Sequence, residues 1–378
     1  MSRAPRADAP DTASPIGPAE ADRLFSPFSG LSRIAVAVSG GADSTGLLHL
    51  LSGWSARTPD APALQVLTVD HGLRPAAAEE AARVAELAAA LSLPCEILRW
   101  HTLPPTGDIQ AAARAARYRL LAEATRRAGI GHVLLAHHRD DVAETFLIRL
   151  ARGSGLRGLS AMPARREVDG IVFHRPLLAV PRARLVATLD AAGLGWSEDP
   201  SNTDPRYLRS RVRMLMPALA DLGIDAARLS DTAGRLGRAA ALVDRLVGDL
   251  RGQCVEIHAG YASLALPALN VADPELRLRL VSDLLRDLCG ADYGPRLAAL
   301  EAALAAVTAA DDGSGRGPVR RTLGGMVLDR RGGMLWLYRE AGRTGLPVLD
   351  VAEDGVVRWD GRLDVRIEGL AGRARPGW

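Results

Sequence analysis

The chain has 378 residues, of which 48% are hydrophobic and 24% are charged, a composition typical of a folded protein with two or three domains. Its net charge of +3 is too small to indicate a nucleic-acid partner by itself, and its three cysteines, Cys95, Cys254 and Cys289, are too far apart for a disulfide framework. All 47 basic residues are arginine, which excludes a lysine nucleophile and a Walker A phosphate loop, because that loop requires a lysine.

The first 29 residues are rich in alanine, proline and serine. They lack the basic start and the apolar stretch of a secretory signal, so we predict a disordered leader over residues 1–29. No apolar run reaches the roughly 18 residues that cross a bilayer, and no membrane partner is expected. Together with the sparse cysteines, these features predict a cytoplasmic protein.

Strand-like and helix-like segments alternate after this leader. Short, nearly continuous apolar runs predict five strands, which cover residues 33–38, 64–69, 95–100, 132–136 and 171–178. Such runs are typical of parallel strands that are buried on both faces. We therefore predict an α/β domain over residues 30–216, with a doubly wound, mostly parallel five-stranded sheet that binds ligands at the carboxyl ends of its strands.

The second half of the chain has a different character. Residues 217–312 are rich in alanine, leucine and arginine with helical spacing, which predicts a helical domain. Residues 318–378 contain short strand-like runs and predict a small β-rich segment. Within it, the runs at 325–329 and 333–338 flank a short turn and predict a hairpin.

A glycine-containing loop follows the first predicted strand and opens a helix. Its glycines allow backbone N–H groups to approach an anion, and the helix N-terminus adds partial positive charge. Its serines can donate hydroxyls to phosphate, and its aspartate is placed to hold Mg²⁺. The alternative is an ordinary helix cap after a glycine turn. The candidate ATP-binding residues are Ser39, Gly40, Gly41, Ala42, Asp43 and Ser44.

Six further motifs follow the loop in order, at the ends of the predicted strands. They are VDHGLR at 69–74, ARAARY at 113–118, AHHRDDVAET at 136–145, RGSGLRGL at 152–159, RPLL at 175–178 and DPSNTD at 199–204. The SGGADS loop resembles the pyrophosphatase loop of the N-type ATP pyrophosphatases. With the six motifs, the chain resembles the tRNA(Ile)-lysidine synthase family over roughly residues 33–217.

The resemblance implies a fold of the adenine nucleotide alpha hydrolase type and a two-step reaction. ATP, with Mg²⁺, adenylates the oxygen on carbon 2 of the wobble cytidine in an isoleucine tRNA that has a CAU anticodon. The side-chain amine of free lysine then displaces AMP. The resemblance also implies that the segment over 217–312 binds tRNA, and that the protein can form a homodimer.

The resemblance assigns roles to five residues of the first domain. Asp43, Arg114 and His137 would be catalytic, with Asp43 also the candidate Mg²⁺ ligand, and Asp141 and Glu144 would bind lysine. On spacing alone, Asp141 and Glu144 share one helix face and could equally form a solvated acidic first turn. The neighbouring His138 is expected to be a structural histidine.

A basic cluster follows the DPSNTD motif. Its arginines could contact RNA phosphates and its tyrosine could stack on a base, although such a run is more often a solvated helix face. Ser210 lies where the family usually has asparagine. The candidate tRNA-binding residues are Arg206, Tyr207, Arg209, Arg211 and Arg213.

Three alternatives stay open on the sequence. A tRNA thiolase would need a cysteine pair, which the scattered cysteines do not supply. An enzyme that amidates a small molecule, such as a GMP or NAD synthetase, would need an ammonia source, and no glutaminase-like segment is recognisable. A binding module without turnover is disfavoured because Asp43, Asp141 and Glu144 are predicted at one edge of the sheet.

Overall fold

The computed structural model describes two compact units, residues 1–240 and 241–378. Within them it describes residues 14–72, 76–100, 109–197, 204–290, 294–309 and 319–340, and four short strands between residues 349 and 374. No helix of these described parts is long and apolar enough to span a membrane.

The first unit alternates helices and strands along the chain. Its strands are β1 (Arg33–Ala37), β2 (Ala63–Asp70), β3 (Cys95–Arg99), β4 (His132–Leu134), β5 (Arg165–Val168) and β6 (Ile171–His174). Its helices are α1 (Pro18–Phe25), α2 (Ala42–Arg57), α3 (Ala76–Ala90), α4 (Ile109–Arg127), α5 (Arg139–Ala151), α6 (Leu156–Leu159), α7 (Arg182–Ala191), α8 (Leu208–Asp221) and the start of α9 (Ala226–Cys254).

The strands form one six-stranded sheet in the order β3-β2-β1-β4-β6-β5. Pairing is parallel from β3 to β6, so the five predicted strands and the doubly wound fold class are confirmed. The chain leaves β1 towards β2 and β3 on one side and returns to β4 on the other. Strand order therefore reverses between β1 and β4, which places a ligand crevice at their carboxyl ends.

The sixth strand, β5, was not predicted. It pairs antiparallel to β6 through a turn in which Asp169 and Gly170 have φ angles of +52° and +76°. An Asp-Gly pair between two strand-like runs is a hairpin signal, so the turn could have been found. The strand itself lacks an apolar run, because the edge residues Arg165 to Val168 are largely exposed.

Apolar side chains cover both faces of the sheet. On one face, Leu47 and Trp54 of α2 and Leu185 of α7 pack against β1. On the other, Leu121 of α4 packs with Phe173 of β6. The two layers hold the carboxyl ends of β1 and β4 in fixed positions, which is what a preformed crevice requires.

The predicted disordered leader is wrong for residues 14–29. This segment contains α1, and both Ile16 and Phe25 are buried in the core, at 5% and 0% exposure. Burying such side chains contributes about 1.5–3 kcal/mol each, which offsets part of the entropy lost on ordering the segment. Residues 1–13 of that prediction lie outside the described residues.

The second unit combines helices with short strands. Its helices are α10 (Leu266–Val271), α11 (Pro274–Cys289) and α12 (Leu297–Thr308). Its strands are β7 (Val255–His258), β8 (Tyr261–Ala265), β9 (Val319–Leu323), β10 (Met326–Arg331), β11 (Met334–Arg339), β12 (Leu349–Val351), β13 (Val356–Trp359), β14 (Leu363–Arg366) and β15 (Gly372–Ala374).

The predicted hairpin is present as β10 and β11, in a five-stranded antiparallel sheet of order β7-β8-β11-β10-β9. This sheet corrects the predicted division at 216/217 and 312/318. Strands β7 and β8 come from the segment predicted to be helical, and they share a core with α11, α12 and β10. Leu264 and Leu328 are fully buried in it. Packing joins the segments because neither the helices nor the hairpin can bury their apolar faces alone.

Candidate active site

The predicted phosphate loop lies between β1 and α2, at the sheet edge where strand order reverses. Gly40 has a φ angle of +85°, and a Cβ added there would lie 3.3 Å from Cγ2 of Val84. The backbone N–H of Ser39 donates to Oγ of Ser44 at 3.1 Å, and that hydroxyl lies 3.1 Å from Oγ of Ser39. The first N–H groups of α2 have no partner within the helix, so the loop can accept an anion.

Asp43, in the first turn of α2, contacts two cations from distant parts of the sequence. Its Oδ1 lies 3.2 Å from Nε of Arg182, and its Oδ2 lies 3.4 Å from Nε2 of His138. Burial by itself would raise the pKa of Asp43. The nearby His138 and Arg182 lower it by a larger amount, so the net shift is downward. Asp43 is therefore an ionised carboxylate beside the phosphate loop.

His138 is the cap residue of α5 and is 1% exposed. Its ring nitrogens lie 3.4 to 3.6 Å from carboxylates of Asp43, Asp140 and Asp141. Burial alone would lower the pKa of His138, but these carboxylates raise it to about 10, so the ring is an imidazolium. The predicted structural histidine thus also joins α5 to the phosphate loop, a contact that sequence spacing did not reveal.

The two predicted lysine-binding residues lie together on α5. Asp141 accepts a hydrogen bond from the backbone N–H of His138 at 3.1 Å. Glu144 is 3% exposed, and Arg213 donates to it from Nε at 2.8 Å and from Nη2 at 3.2 Å. Nε of Arg209 lies 2.9 Å from Oε2 of Glu144. Sequence spacing did not indicate that these carboxylates would contact the basic cluster of α8.

These contacts divide the predicted tRNA-binding cluster. Arg209 and Arg213 are 38% exposed and turn towards Glu144. Arg206 is 83% exposed beside Asp204, and Arg211 is also exposed. Tyr207 caps α8 and is partly buried. Arg206 and Arg211 are therefore the arginines of this cluster that present their charge to solvent.

A cavity of about 480 Å³ lies beside the Glu144 carboxylate, between α5, α7 and α8. Asp140 and Glu144 line it on one side, and the apolar side chains of Val186 and Met216 line it on another. Its wall therefore combines carboxylates with an apolar surface and with the guanidinium groups of Arg182 and Arg213.

Arg114 and His137 line a second cavity, of about 210 Å³, between α4 and the ends of β2 and β4. Burial and the nearby Arg175 and Arg114 hold the pKa of His137 well below its usual range, so its ring is neutral. Nδ1 of His137 is buried without a hydrogen-bond partner within the described residues. Buried polar atoms of this kind are normally satisfied, which points to a polar ligand.

Arg175 is a site residue to which the sequence assigned no role, although it belongs to the RPLL motif. It is 4% exposed and donates to the hydroxyl of Tyr118 at 3.2 Å and to the carbonyl oxygen of Pro163 at 2.7 Å. The guanidinium of Arg114 lies 5.5 Å from the centre of the Tyr118 ring. Arg175 therefore orients Tyr118, and the guanidinium of Arg114 packs against the ring of that tyrosine.

The site fits Mg²⁺ bound mainly by substrate phosphates. Among the described residues, no group of three or more histidine, cysteine, aspartate or glutamate side chains could hold a metal ion. Mg²⁺ commonly takes one or two carboxylates and completes its shell with phosphate and water. Asp43, 35% exposed beside the phosphate loop, supplies one such carboxylate.

Comparison with known proteins agrees with this geometry. Residues 17–219 match the family described as the PP-loop domain. A tRNA(Ile)-lysidine synthase from Rhodopseudomonas palustris is 43% identical over 339 residues, which are 87% of this chain and 97% of the relative. The corresponding protein of Bradyrhizobium diazoefficiens is 44% identical over 86% of this chain and 94% of its own. The chain belongs to the tRNA(Ile)-lysidine synthase family.

The solved structures that match this member of the tRNA(Ile)-lysidine synthase family are less similar to it. A U34-tRNA thiolase from Methanococcus maripaludis matches with a TM-score of 0.48 and 16% identity, over 58% of this chain and 78% of that one. The DPSNTD motif of the family falls largely on residues 198–203, which lie outside the described residues.

Proposed function

We propose that this protein is an AMP-forming ligase that makes a carbon–nitrogen bond between free lysine and the wobble cytidine of an isoleucine tRNA with a CAU anticodon. The products are lysidine in the tRNA, AMP and pyrophosphate. The observation that carries the proposal is the convergence of Asp43, His138, Asp141 and Glu144 beside the phosphate loop, in a chain of this family.

In the first step, the cytidine oxygen on carbon 2 attacks the α-phosphorus of ATP, and pyrophosphate leaves with the electrons of the broken P–O bond. The loop N–H groups bind the phosphates. Mg²⁺, when bound, would neutralise phosphate charge with Asp43 as its ligand. Arg114 and the neutral His137 line the cavity in which the base would lie, where a fixed cation stabilises developing negative charge.

In the second step, the uncharged side-chain amine of lysine attacks carbon 2 of the base, and AMP leaves with the original oxygen. The cavity beside Glu144 suits the amino acid, because Asp140 and Glu144 attract its ammonium group while Val186 and Met216 contact its methylenes. These carboxylates hold the ammonium near the base until it gives a proton to water and becomes the attacking amine. Asp141, in the same turn of α5, would contribute a further negative charge.

The tRNA would reach the site over α8. Arg206 and Arg211 are exposed and would contact phosphates, and Tyr207 lies between them in sequence. A cytoplasmic location remains a prediction from the composition. A tRNA-binding role for the segment over 217–312 and pairing into a homodimer remain predictions from the family resemblance.

The test is incubation of the purified protein with labelled lysine, ATP and a CAU-anticodon isoleucine tRNA, scored for label attached to RNA and for AMP. We expect both products from the isoleucine tRNA and little label on a methionine tRNA that has the same anticodon. Asp43→Ala should abolish AMP formation while the protein stays folded, as circular dichroism would check, because His138 keeps its contacts with Asp140 and Asp141. Normal AMP formation by Asp43→Ala, or formation of ADP by the unmodified protein, would overturn the proposal.

A further inference from the structure

Arg182 is the first residue of α7 and lies between the phosphate loop and α5. Its Nε lies 3.2 Å from Oδ1 of Asp43, and its backbone N–H donates to Oδ2 of Asp140 at 2.9 Å. Its side chain is 45% exposed. Sequence reasoning assigned no role to Arg182, because it lies 139 positions from Asp43 and outside the RPLL motif.

The start of α7 is held firmly against the phosphate-loop helix. Leu185 is fully buried and lies against Gly46 of α2, where an added Cβ would be 3.5 Å from Cβ of Leu185. Arg184 is 5% exposed and donates to both carboxylate oxygens of Glu20, each at 2.7 Å. Arg182 therefore projects from a helix fixed on both sides, and its contact with Asp43 orients the guanidinium, so that less reorganisation is needed during a reaction.

The first chemical step creates negative charge at one defined place. When the bond between the α-phosphorus and the bridging oxygen breaks, its electron pair remains on the pyrophosphate. A cation near that oxygen lowers the energy of the transition state. His138 is poorly suited to this task, since it is buried among three carboxylates. Arg114 lies in the other cavity, against Tyr118.

We propose that Arg182 is a catalytic residue that binds the pyrophosphate portion of ATP and stabilises it as the leaving group. The inference rests on the proposed function, since it requires cleavage of ATP between the α- and β-phosphates. Arginine suits this role because its planar guanidinium stays charged and can bind phosphate oxygens in a bidentate manner. The contact with Asp43 holds the guanidinium beside the phosphate loop before ATP binds.

Arg182 also lines the cavity beside Glu144, so the carboxylate of the free amino acid is the competing ligand. That position is less favourable for an amino-acid carboxylate, because the Asp140 carboxylate lies against the start of the same helix and repels it, whereas Glu144 is already paired with Arg213. The two ligands act in different steps. Pyrophosphate is released during adenylation, which needs no lysine, whereas the amino acid is needed only afterwards.

The experiment is tRNA-dependent exchange of labelled pyrophosphate into ATP without lysine, with Arg182→Ala, Arg182→Lys and the unmodified protein. We expect Arg182→Ala to lower the exchange rate about 100-fold, as loss of one transition-state donor does, with weaker inhibition by added pyrophosphate. Arg182→Lys should recover part of the rate because it keeps the charge. The matched control is Arg57→Ala. Arg57 is 41% exposed and lies away from the site, where its Nη2 pairs with Oδ1 of Asp22 at 2.7 Å.

Each other outcome has one meaning. Unchanged exchange by Arg182→Ala with a raised KM for lysine would overturn the proposal and assign Arg182 to the amino acid. A lowered melting temperature for both Arg182 variants, with normal exchange by the folded fraction, would assign it a structural role and equally overturn the proposal. Absence of exchange in the unmodified protein, with lysine-dependent labelling of RNA also absent, would instead refute the proposed function on which the inference rests.

Discussion

Glu144 of α5 accepts two hydrogen bonds from Arg213 of α8, at 2.8 Å and 3.2 Å, across 69 positions of sequence. Arg209 adds a second guanidinium 2.9 Å from the same carboxylate, which is 3% exposed. A buried carboxylate is costly without a counter-cation, so the two arginines satisfy Glu144 in the free protein. A lysine ammonium that binds there must share or replace one of these contacts.

Replacing Glu144 by glutamine should impair lysine use more than adenylation. The amide keeps the size of the side chain but removes its charge, and a hydrogen bond to a charged group contributes about 1.5–3 kcal/mol. We therefore expect the KM for lysine to rise about 10- to 100-fold, while pyrophosphate exchange without lysine changes little. Steady-state kinetics with varied lysine measure the first quantity.

The control for this variant is Glu79→Gln, because Glu79 is exposed on the first turn of α3. It should leave the KM for lysine unchanged. If Glu144→Gln also leaves that KM unchanged, Glu144 only anchors α8 and the lysine-binding prediction for it fails.

Two glycines of the phosphate loop should respond differently to an added methyl group. Gly40 has a φ angle of +85° and its Cβ would lie 3.3 Å from Val84, so Gly40→Ala should destabilise the protein by roughly 1–3 kcal/mol. Gly41 has a φ angle of −76°, and its nearest neighbours would be 3.9 Å away, so Gly41→Ala should keep the melting temperature. Thermal unfolding followed by circular dichroism compares them, and equal melting temperatures would contradict the left-handed backbone at Gly40.

The exposed arginines of the basic cluster should carry a salt-dependent share of tRNA binding. Arg206→Gln combined with Arg211→Gln should weaken binding, and the slope of log affinity against log salt should fall by about 0.7–0.9 for each phosphate that the protein no longer neutralises. Filter binding across a salt series measures the slope. The control replaces Arg23 and Arg57, which are exposed on α1 and at the end of α2. A slope equal to that of the control variant would show that the RNA-binding surface lies elsewhere on the protein.

His174 should make the stability of the first unit depend on pH. Burial, with the neighbouring His132 at 3.0 Å and Arg165, lowers the pKa of His174 from 6.5 to about 4. The folded protein therefore disfavours the charged ring. The stability that the neutral ring contributes is fully present above pH 6.5 and is lost as the pH falls towards 4. His138, whose pKa is raised to about 10, contributes in the opposite direction, because its charged ring stabilises the fold more as the pH falls towards 6.5. We therefore expect the urea midpoint to fall mainly between pH 6.5 and pH 5, where the His138 contribution is constant.

His174→Phe should reduce this loss, because phenylalanine keeps an aromatic ring beside Phe28 and cannot bind a proton. Part of the loss should remain, because the pKa values of His49 and His137 are lowered by burial in the same direction. An undiminished fall of the midpoint in His174→Phe would show that other groups account for the acid sensitivity.

Local patterns were sufficient for the five parallel strands and for the position of the glycine loop after β1. Buried parallel strands are largely apolar, so β1, β2, β4 and β6 are visible as short apolar runs, and the half-exposed β3 keeps a shorter one. The loop from Ser39 to Ser44 follows β1 directly, and its glycines and hydroxyls are needed within a few residues of each other. The leader and the boundaries of the second unit were predicted less well. Whether these segments fold depends on burial against distant parts of the chain, as Phe25 and Leu264 illustrate.

The residue types at the site and their positions at the carboxyl ends of the strands follow from the sequence, because parallel strand order places those ends at one edge. The partners of each charge were decided only by the tertiary structure. Asp43 meets Arg182 across 139 positions, and Glu144 meets Arg213 across 69. Spacing along one helix or strand cannot encode such contacts. They arise because α7 and α8 pack beside α2 and α5, where buried carboxylates require nearby cations.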